Sequence, residues 1–192
     1  MAKKKVAKKK STKEKKVGMW AKYYWSMPAI NAKVESFIRK NKGIIHGTRA
    51  VNVYLPNWLD KHTEDWDVFT NKPEKIAKKL EKQLDKALGG DYFYVKEGKH
   101  KGTWKVVSKT NDKEIADFTK PEERIKYNEI YGMRYVTLDY IKKKINKILR
   151  DLKAQYRWKK DKDVLKRIII WEKIKRKFFG LGGGGKNERR PI

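Results

Sequence analysis

The chain has 192 residues, with hydrophobic and charged residues each making up 39%, and 51 Lys and Arg against 23 Asp and Glu give it a formal charge of +28. Its length suits one compact domain of roughly 130 to 150 residues with tails, built on a small core under a very ionic surface. Having no cysteine excludes disulfides, thiolate zinc sites and cysteine nucleophiles, and no apolar run approaches the ~18 residues of a membrane span.

The chain opens on MAKKKVAKKKSTKEKK, whose nine Lys and one Glu carry +8 and leave +20 of the +28 on the rest. This stretch has no apolar segment of the kind a secretory signal needs, so an intracellular protein of cytoplasm or nucleus is expected. Residues 1–17 read as a disordered Lys-rich arm. The body is basic as well, which points to phosphate polyanions as partners, because each Lys or Arg placed on a phosphate releases a condensed counterion. Charge alone gives a tendency to bind and no chemistry.

An aromatic cluster follows at Trp20, Tyr23, Tyr24 and Trp25. It reads as core packing, with base stacking as the functional alternative. Pro28 opens a helix to about residue 41, with Ile30, Val34, Phe37 and Ile38 on one face. Gly43 to Gly47 predicts a turn and a short buried strand, and Arg49 to Leu59 a helix that Pro56 distorts or ends. Thr63 to Phe69 is strand-like, and Pro73 to Leu88 is a helix stopped by Gly89 and Gly90. Strands are expected at about 91–97, 103–110 and 113–119, the last two joined by Asn111-Asp112. Pro121 begins a connection to two long helices, about 138–157 and 162–179, before a Gly-rich basic tail over 181–192.

Asp65-Trp66-Asp67 falls within an apparent strand. Strand side chains alternate, so both carboxylates point to one face, and Trp66 and Val68 point to the other, toward the core. Two neighbouring carboxylates repel, and a hard divalent cation with a preference for oxygen ligands relieves that cost. Asp117 lies in another apparent strand, Glu114 to Phe118. Three carboxylates can hold two Mg2+ ions about 3.5–4 Å apart and clamp a phosphoryl group between nucleophile and leaving group. Upstream, His46-Gly47-Thr48-Arg49 places a glycine at a strand-to-helix turn, where backbone amides can approach phosphate oxygens.

The order of elements, with Gly47-Thr48 after a strand, Asp65-x-Asp67 on the next and Asp117 on a later one, resembles the polymerase-beta-type nucleotidyltransferase superfamily. The match covers residues about 28 to 120. Thr48 stands where the family has Gly or Ser, and the interval from Gly47 to Asp65 is longer than its commonest spacing. The resemblance implies an α+β fold: a minimal mixed sheet with helices, then two long C-terminal helices. It divides the chain into the arm at 1–17, a core at 18–120, a helical segment at 121–180 and the tail. It gives Asp65, Asp67 and Asp117 the catalytic metals, Mg2+ or Mn2+, with Asp117 also activating the attacking hydroxyl. Gly47, Thr48 and Arg49 would cradle an NTP. Lys160, in Tyr156-Arg157-Trp158-Lys159-Lys160, resembles a basic residue of the family's following helix that holds the incoming nucleotide. Compact proteins of this kind are encoded by large DNA viruses, which adds virion association to the expected locations.

Plainer readings stand beside these. Asp161-Lys162-Asp163 has the same spacing but reads as a helix cap, and His46 as a strand-end histidine. The Ile and Leu stripes of the last helices are core or partner-facing surface. Three functions follow. One is transfer of a nucleoside monophosphate from an NTP to a hydroxyl, on a nucleic-acid 3′ end. The second is a non-catalytic nucleic-acid-binding or virion or ribonucleoprotein structural protein on the same fold. The third is a toxin-type nucleotidyltransferase acting on tRNA or protein, which would bring a protein partner.

Overall fold

The computed structural model describes residues 28–180. The Lys-rich arm, the aromatics from Trp20 to Trp25 and the tail from residue 181 lie outside the described residues. In chain order the elements are α1 (Pro28–Lys40), β1 (Ile44–Ile45), α2 (Gly47–Asn52), a 3-10 turn (Asn57–Leu59), β2 (Trp66–Phe69) and α3 (Pro73–Leu88). Then come β3 (Phe93–Glu97), β4 (Thr103–Ser108), β5 (Glu114–Thr119), β6 (Tyr127–Ile130), β7 (Met133–Val136), α4 (Leu138–Arg150), a second 3-10 turn (Leu152–Ala154) and α5 (Gln155–Phe179). The described residues form two compact units: 28–50 with His62–Thr137, and Val51–Lys61 with 138–180. No described helix is long and apolar enough to cross a membrane.

The first unit is a seven-stranded mixed sheet in the order β3-β4-β5-β2-β1-β7-β6. β2 pairs with β5 and β1 with β7 in parallel; the other neighbours are antiparallel. The α+β architecture expected from the sequence, a mixed sheet with helices followed by two C-terminal helices, is the one found. Val34, Phe37 and Ile38 of α1 and Leu80 and Leu84 of α3 are buried with Ile45, Val68, Val106, Ile115 and Phe118 of the sheet. Phe37 and Phe118 meet edge to face, with ring centroids 6.4 Å apart. Both ends of α3 are set by local chemistry. Pro73 sits at the first turn, where no amide donor is needed. Gly89 takes the left-handed conformation at φ +70° that ends the last turn.

Three stretches differ from their sequence expectation. The helix foreseen over Arg49 to Leu59 is α2 and a 3-10 turn, separated where Pro56 is extended. The connection after Pro121 contains a hairpin, β6 and β7, that adds two strands to the sheet. Its turn is tight, with both Tyr131 (φ 51°) and Gly132 (φ 70°) left-handed. The break between the long helices falls at residues 151–154, where the Asp151 carboxylate accepts from the Lys153 amide at 2.9 Å. Asp161 therefore lies inside α5 and is no cap. It is only 5% exposed and faces Arg157 one turn earlier at 3.4 Å.

The second unit buries Val51 and Leu55 together with Ile141, Ile145, Val164 and Ile168. Ile141, Ile145 and Ile168 of the two stripes thus supply core, while Leu152, Ile169 and Phe178 of the same stripes are exposed. Arg167 donates to the Asn52 side chain at 3.1 Å and the Leu59 carbonyl at 2.9 Å, tying α5 to the segment 51–61. The two ends of that segment meet: the Asn52 amide donates to the Lys61 carbonyl at 2.8 Å, and the Lys61 amide donates back at 3.2 Å.

Phe118 is 1% exposed on a central strand. Replacing it with alanine is expected to cost about 3–5 kcal/mol through lost burial and the cavity left behind. A fall in the urea midpoint of that size checks the placement of the core.

Candidate active site: strand carboxylates and a glycine turn

The site begins where β1 runs out. β1 lies antiparallel to β2 with Ile45 opposite Val68, and the His46 amide donates to the Asp67 carbonyl at 2.9 Å. Gly47 therefore arrives beside Asp67. Its φ of +67° belongs to the left-handed region, and a Cβ built on it would run into the Asp67 carboxylate. Glycine is needed there twice over, for the backbone and for the space. The turn and the carboxylate share one place despite the long interval, because the intervening segment 51–61 belongs to the second unit and returns on itself. His46 stacks on Phe69 with ring centroids 3.9 Å apart, as a strand-end histidine does. Thr48 follows, half-buried.

β2 begins at Trp66, so Asp65, expected inside the strand, lies ahead of it, and the alternation expected there applies to Trp66, Asp67 and Val68. Trp66 and Val68 are buried in the core, and Asp67 is half-buried on the other face. Just ahead of the strand, Asp65 accepts from the Thr63 hydroxyl at 2.8 Å. Arg49 clamps this approach. Its guanidinium donates to the Asp65 carbonyl at 2.7 Å, to Glu64 at 3.1 Å and to Thr63 at 3.3 Å. It also lies 4.0 Å over the Trp66 ring, whose indole donates to Asn31 at 3.3 Å. Burial pulls the Arg49 pKa below its ordinary value, and Asp65, Tyr135, Asp67 and Glu35 push back. An arginine remains a cation throughout.

Asp117 enters from β5, whose parallel register sets it beside Asp67 on one face of the sheet. On its other side, across the antiparallel pair, stands Lys105 of β4. The Lys105 ammonium lies 2.9 Å from Asp117 Oδ2 and 2.5 Å from Glu114 Oε2. Asp117 Oδ1 is buried and has no hydrogen-bond partner. Burial raises the Asp117 pKa; the Lys105 hydrogen bond and charge oppose this, while Glu114 and Asp65 add to it. Burial alone would lower the Lys105 pKa, but its bonds to Glu114 and Asp117 outweigh that and raise it. Lys105 and Glu114 were missed from sequence. The one visible signal was a lysine between Trp104 and Val106 in a strand.

An oxygen-only donor set suits a hard divalent cation, and the unpartnered Asp117 Oδ1 is an acceptor that such an ion would satisfy. The oxygens of Asp65, Asp67 and Asp117 are not all drawn within 4.8 Å of one another. Among the described residues the trio that is so drawn is Glu81, Asp85 and Asp91, elsewhere on the chain. There Asp85 caps the turn by accepting from the Tyr92 and Phe93 amides at 2.8 and 3.0 Å, and Asp91 pairs with Lys109. Lys160 is exposed on α5, in the second unit.

Comparison with known proteins bears on this arrangement. The family model of the poly(A) polymerase catalytic subunit matches residues 32–154. No match was found among curated protein sequences. Among solved structures the fold is similar to Megavirus polyadenylate synthase, with a TM-score of 0.66 at 16% identity over 90% of this chain. The chain spans 38% of that protein's length. A weaker likeness, TM-score 0.40 at 13% identity, links 66% of the chain to 56% of JHP933 from Helicobacter pylori.

The two demands on Gly47 can be separated. Gly47→Ala in the native background should cost more than the about 1–2 kcal/mol of a left-handed alanine, because it also displaces Asp67. In an Asp67→Ala background only the backbone part should remain. Denaturant midpoints of the four chains of this cycle measure the difference.

Proposed function

The chain belongs to the family of poly(A) polymerase catalytic subunits, and from that premise we propose that it transfers a nucleoside monophosphate from an NTP to the 3′ hydroxyl of a nucleic acid. The observation that carries the reading is the meeting of Gly47, Asp67 and Asp117. Gly47 at positive φ lies against Asp67, and Asp67 lies beside Asp117 in the parallel register of β2 and β5.

In this reading the hydroxyl oxygen attacks the α-phosphorus, the bond to the bridging oxygen breaks, and pyrophosphate leaves. The protein's part is positioning and charge stabilisation. The turn at Gly47-Thr48 brings backbone amides and a hydroxyl to the triphosphate. Asp117 would lie beside the attacking hydroxyl and help to activate it by accepting its proton. Asp65, Asp67 and Asp117 would hold divalent metal, Mg2+ or Mn2+, which supplies Lewis-acid stabilisation of the charge that builds on the phosphoryl oxygens. Arg49 would contribute to the NTP cradle, and it also fixes the backbone that carries Asp65. Lys160 is assigned a contact with the incoming nucleotide. The basic body, with the Lys-rich arm, would hold the acceptor strand electrostatically. The protein would work inside the cell, in cytoplasm or nucleus, or within a virion, where NTP and nucleic acid meet.

A second reading has one observation in its favour: Lys105 already pairs with Asp117, as it would in a nucleic-acid-binding protein that had no need of metal. Labelled NTPs offered with RNA and DNA oligonucleotides and Mg2+ or Mn2+ separate the two. Extension of RNA with ATP is expected, falling a hundredfold to a thousandfold or more in Asp65→Ala/Asp67→Ala while salt-sensitive binding persists. Binding without extension in the native chain would select the non-catalytic role.

A further inference from the structure

Lys105 holds one oxygen of Asp117 and leaves the other bare. The two residues stand opposite each other on β4 and β5, so their approach is fixed by strand register. The Lys105 side chain is 18% exposed, and its ammonium bridges Asp117 Oδ2 and Glu114 Oε2. Glu114 anchors it from three positions earlier on the same strand. Asp117 Oδ1, without a hydrogen-bond partner, is the atom left on a carboxylate that lies beside Asp67.

A carboxylate turns easily about its last torsion, which is broad and roughly two-fold. Unrestrained, it can meet a cation with one oxygen or close on it with both. The choice matters to the ion. Mg2+ demands near-ideal octahedral geometry, which the narrow bite of a bidentate carboxylate distorts, whereas Ca2+ accepts bidentate ligation readily. A second coordinating oxygen also fills a position that a reacting group needs.

We propose that Lys105 is a positioning residue that makes Asp117 a one-oxygen ligand, offering Oδ1 to a divalent cation and withholding Oδ2. The proposal rests on the nucleotidyltransferase reading of the site. Lys105 touches neither substrate nor ion; it acts through Asp117. It thereby favours Mg2+ over Ca2+ and keeps a coordination position open.

The test is cation binding by the full chain. Mn2+ binding is followed by its electron paramagnetic resonance signal, and Mg2+ and Ca2+ are titrated by displacing Mn2+. Lys105→Met is compared with Lys105→Arg and with Lys109→Met, which removes a charge from the exposed pair with Asp91. Thermal melting establishes that each chain is folded, and Lys105→Gln replaces the Met variant if that one is not. With Oδ2 released, Ca2+ should gain on Mg2+ by about fivefold or more, and Mn2+ should bind at least as tightly because a neighbouring cation has gone. Turnover at saturating Mg2+ should fall roughly ten- to hundredfold. Lys105→Arg should keep the native ion ratio, as should Lys109→Met.

A Ca2+ to Mg2+ ratio within about twofold of native in the Lys105 variant overturns the proposal, since the ratio is what one-oxygen ligation controls. So does a loss of Mn2+ binding, which would make Lys105 a structural support only. A native chain that binds the ions but extends no primer would instead defeat the nucleotidyltransferase reading, and the ion ratio would still report on Lys105.

Discussion

The parallel pairing of β2 with β5 sets Asp67 beside Asp117, and most of the first unit answers to that pairing. Like charges side by side in a sheet repel, and partial burial makes the repulsion worse. The local chemistry is arranged around this strain. Lys105 reaches in from β4 to neutralise part of it. Arg49 gathers the three carbonyls before β2 and adds positive charge behind Asp65 and Asp67. Trp66, Val68, Ala116 and Phe118 on the opposite face of the same two strands are buried and resist any slip in register. A one-residue slip would turn the carboxylates into the core and these side chains out. The apolar face thus supplies the stability, and the acidic face spends some of it to create a place for cations.

Much of this was visible in the order of residues where the deciding physics is local. The ends of α3 were read correctly from Pro73 and Gly89 because a proline at the first turn and a left-handed glycine after the last act through their own backbone. The inward facing of Trp66 and Val68 and the opposite facing of Asp67 followed from alternation alone, whereas Asp65 lies ahead of the strand and Asp117 is set beside Asp67 by register. The hairpin β6–β7 escaped because Tyr127, Asn128 and Glu129 are all exposed and show no alternation, and because its turn, Tyr131-Gly132, lacks the usual Asn-Gly or Asp-Gly. Its membership in the sheet comes from pairing with β1, a strand more than eighty residues earlier.

The break between the long helices was misplaced for a related reason. Asp161-Lys162-Asp163 and Asp151 are both credible caps by composition. Burial decides between them: Asp161 faces inward beside Arg157, while Asp151 is exposed and accepts from an amide two residues on. Lys105 and Arg49 show the same limit at the site. Their functions depend on which strand or loop lies opposite, and no window along the chain contains that partner.

The Asn52–Lys61 pair closes the detour between the glycine turn and the carboxylates with two hydrogen bonds. For such a detour the entropy of closure grows only with the logarithm of its length. Closure itself therefore sets little limit on the length of this stretch; the limits come from Val51 and Leu55, which are buried, and from the Leu59 carbonyl, which accepts from Arg167. A pattern that counts residues from glycine to first aspartate would pass over chains that keep the site and have drifted in length. What such chains must share is a register: the residue after β1 against the one before Val68, and that one against its parallel neighbour. Distant kin are better sought by the pairing of strands than by the spacing of letters.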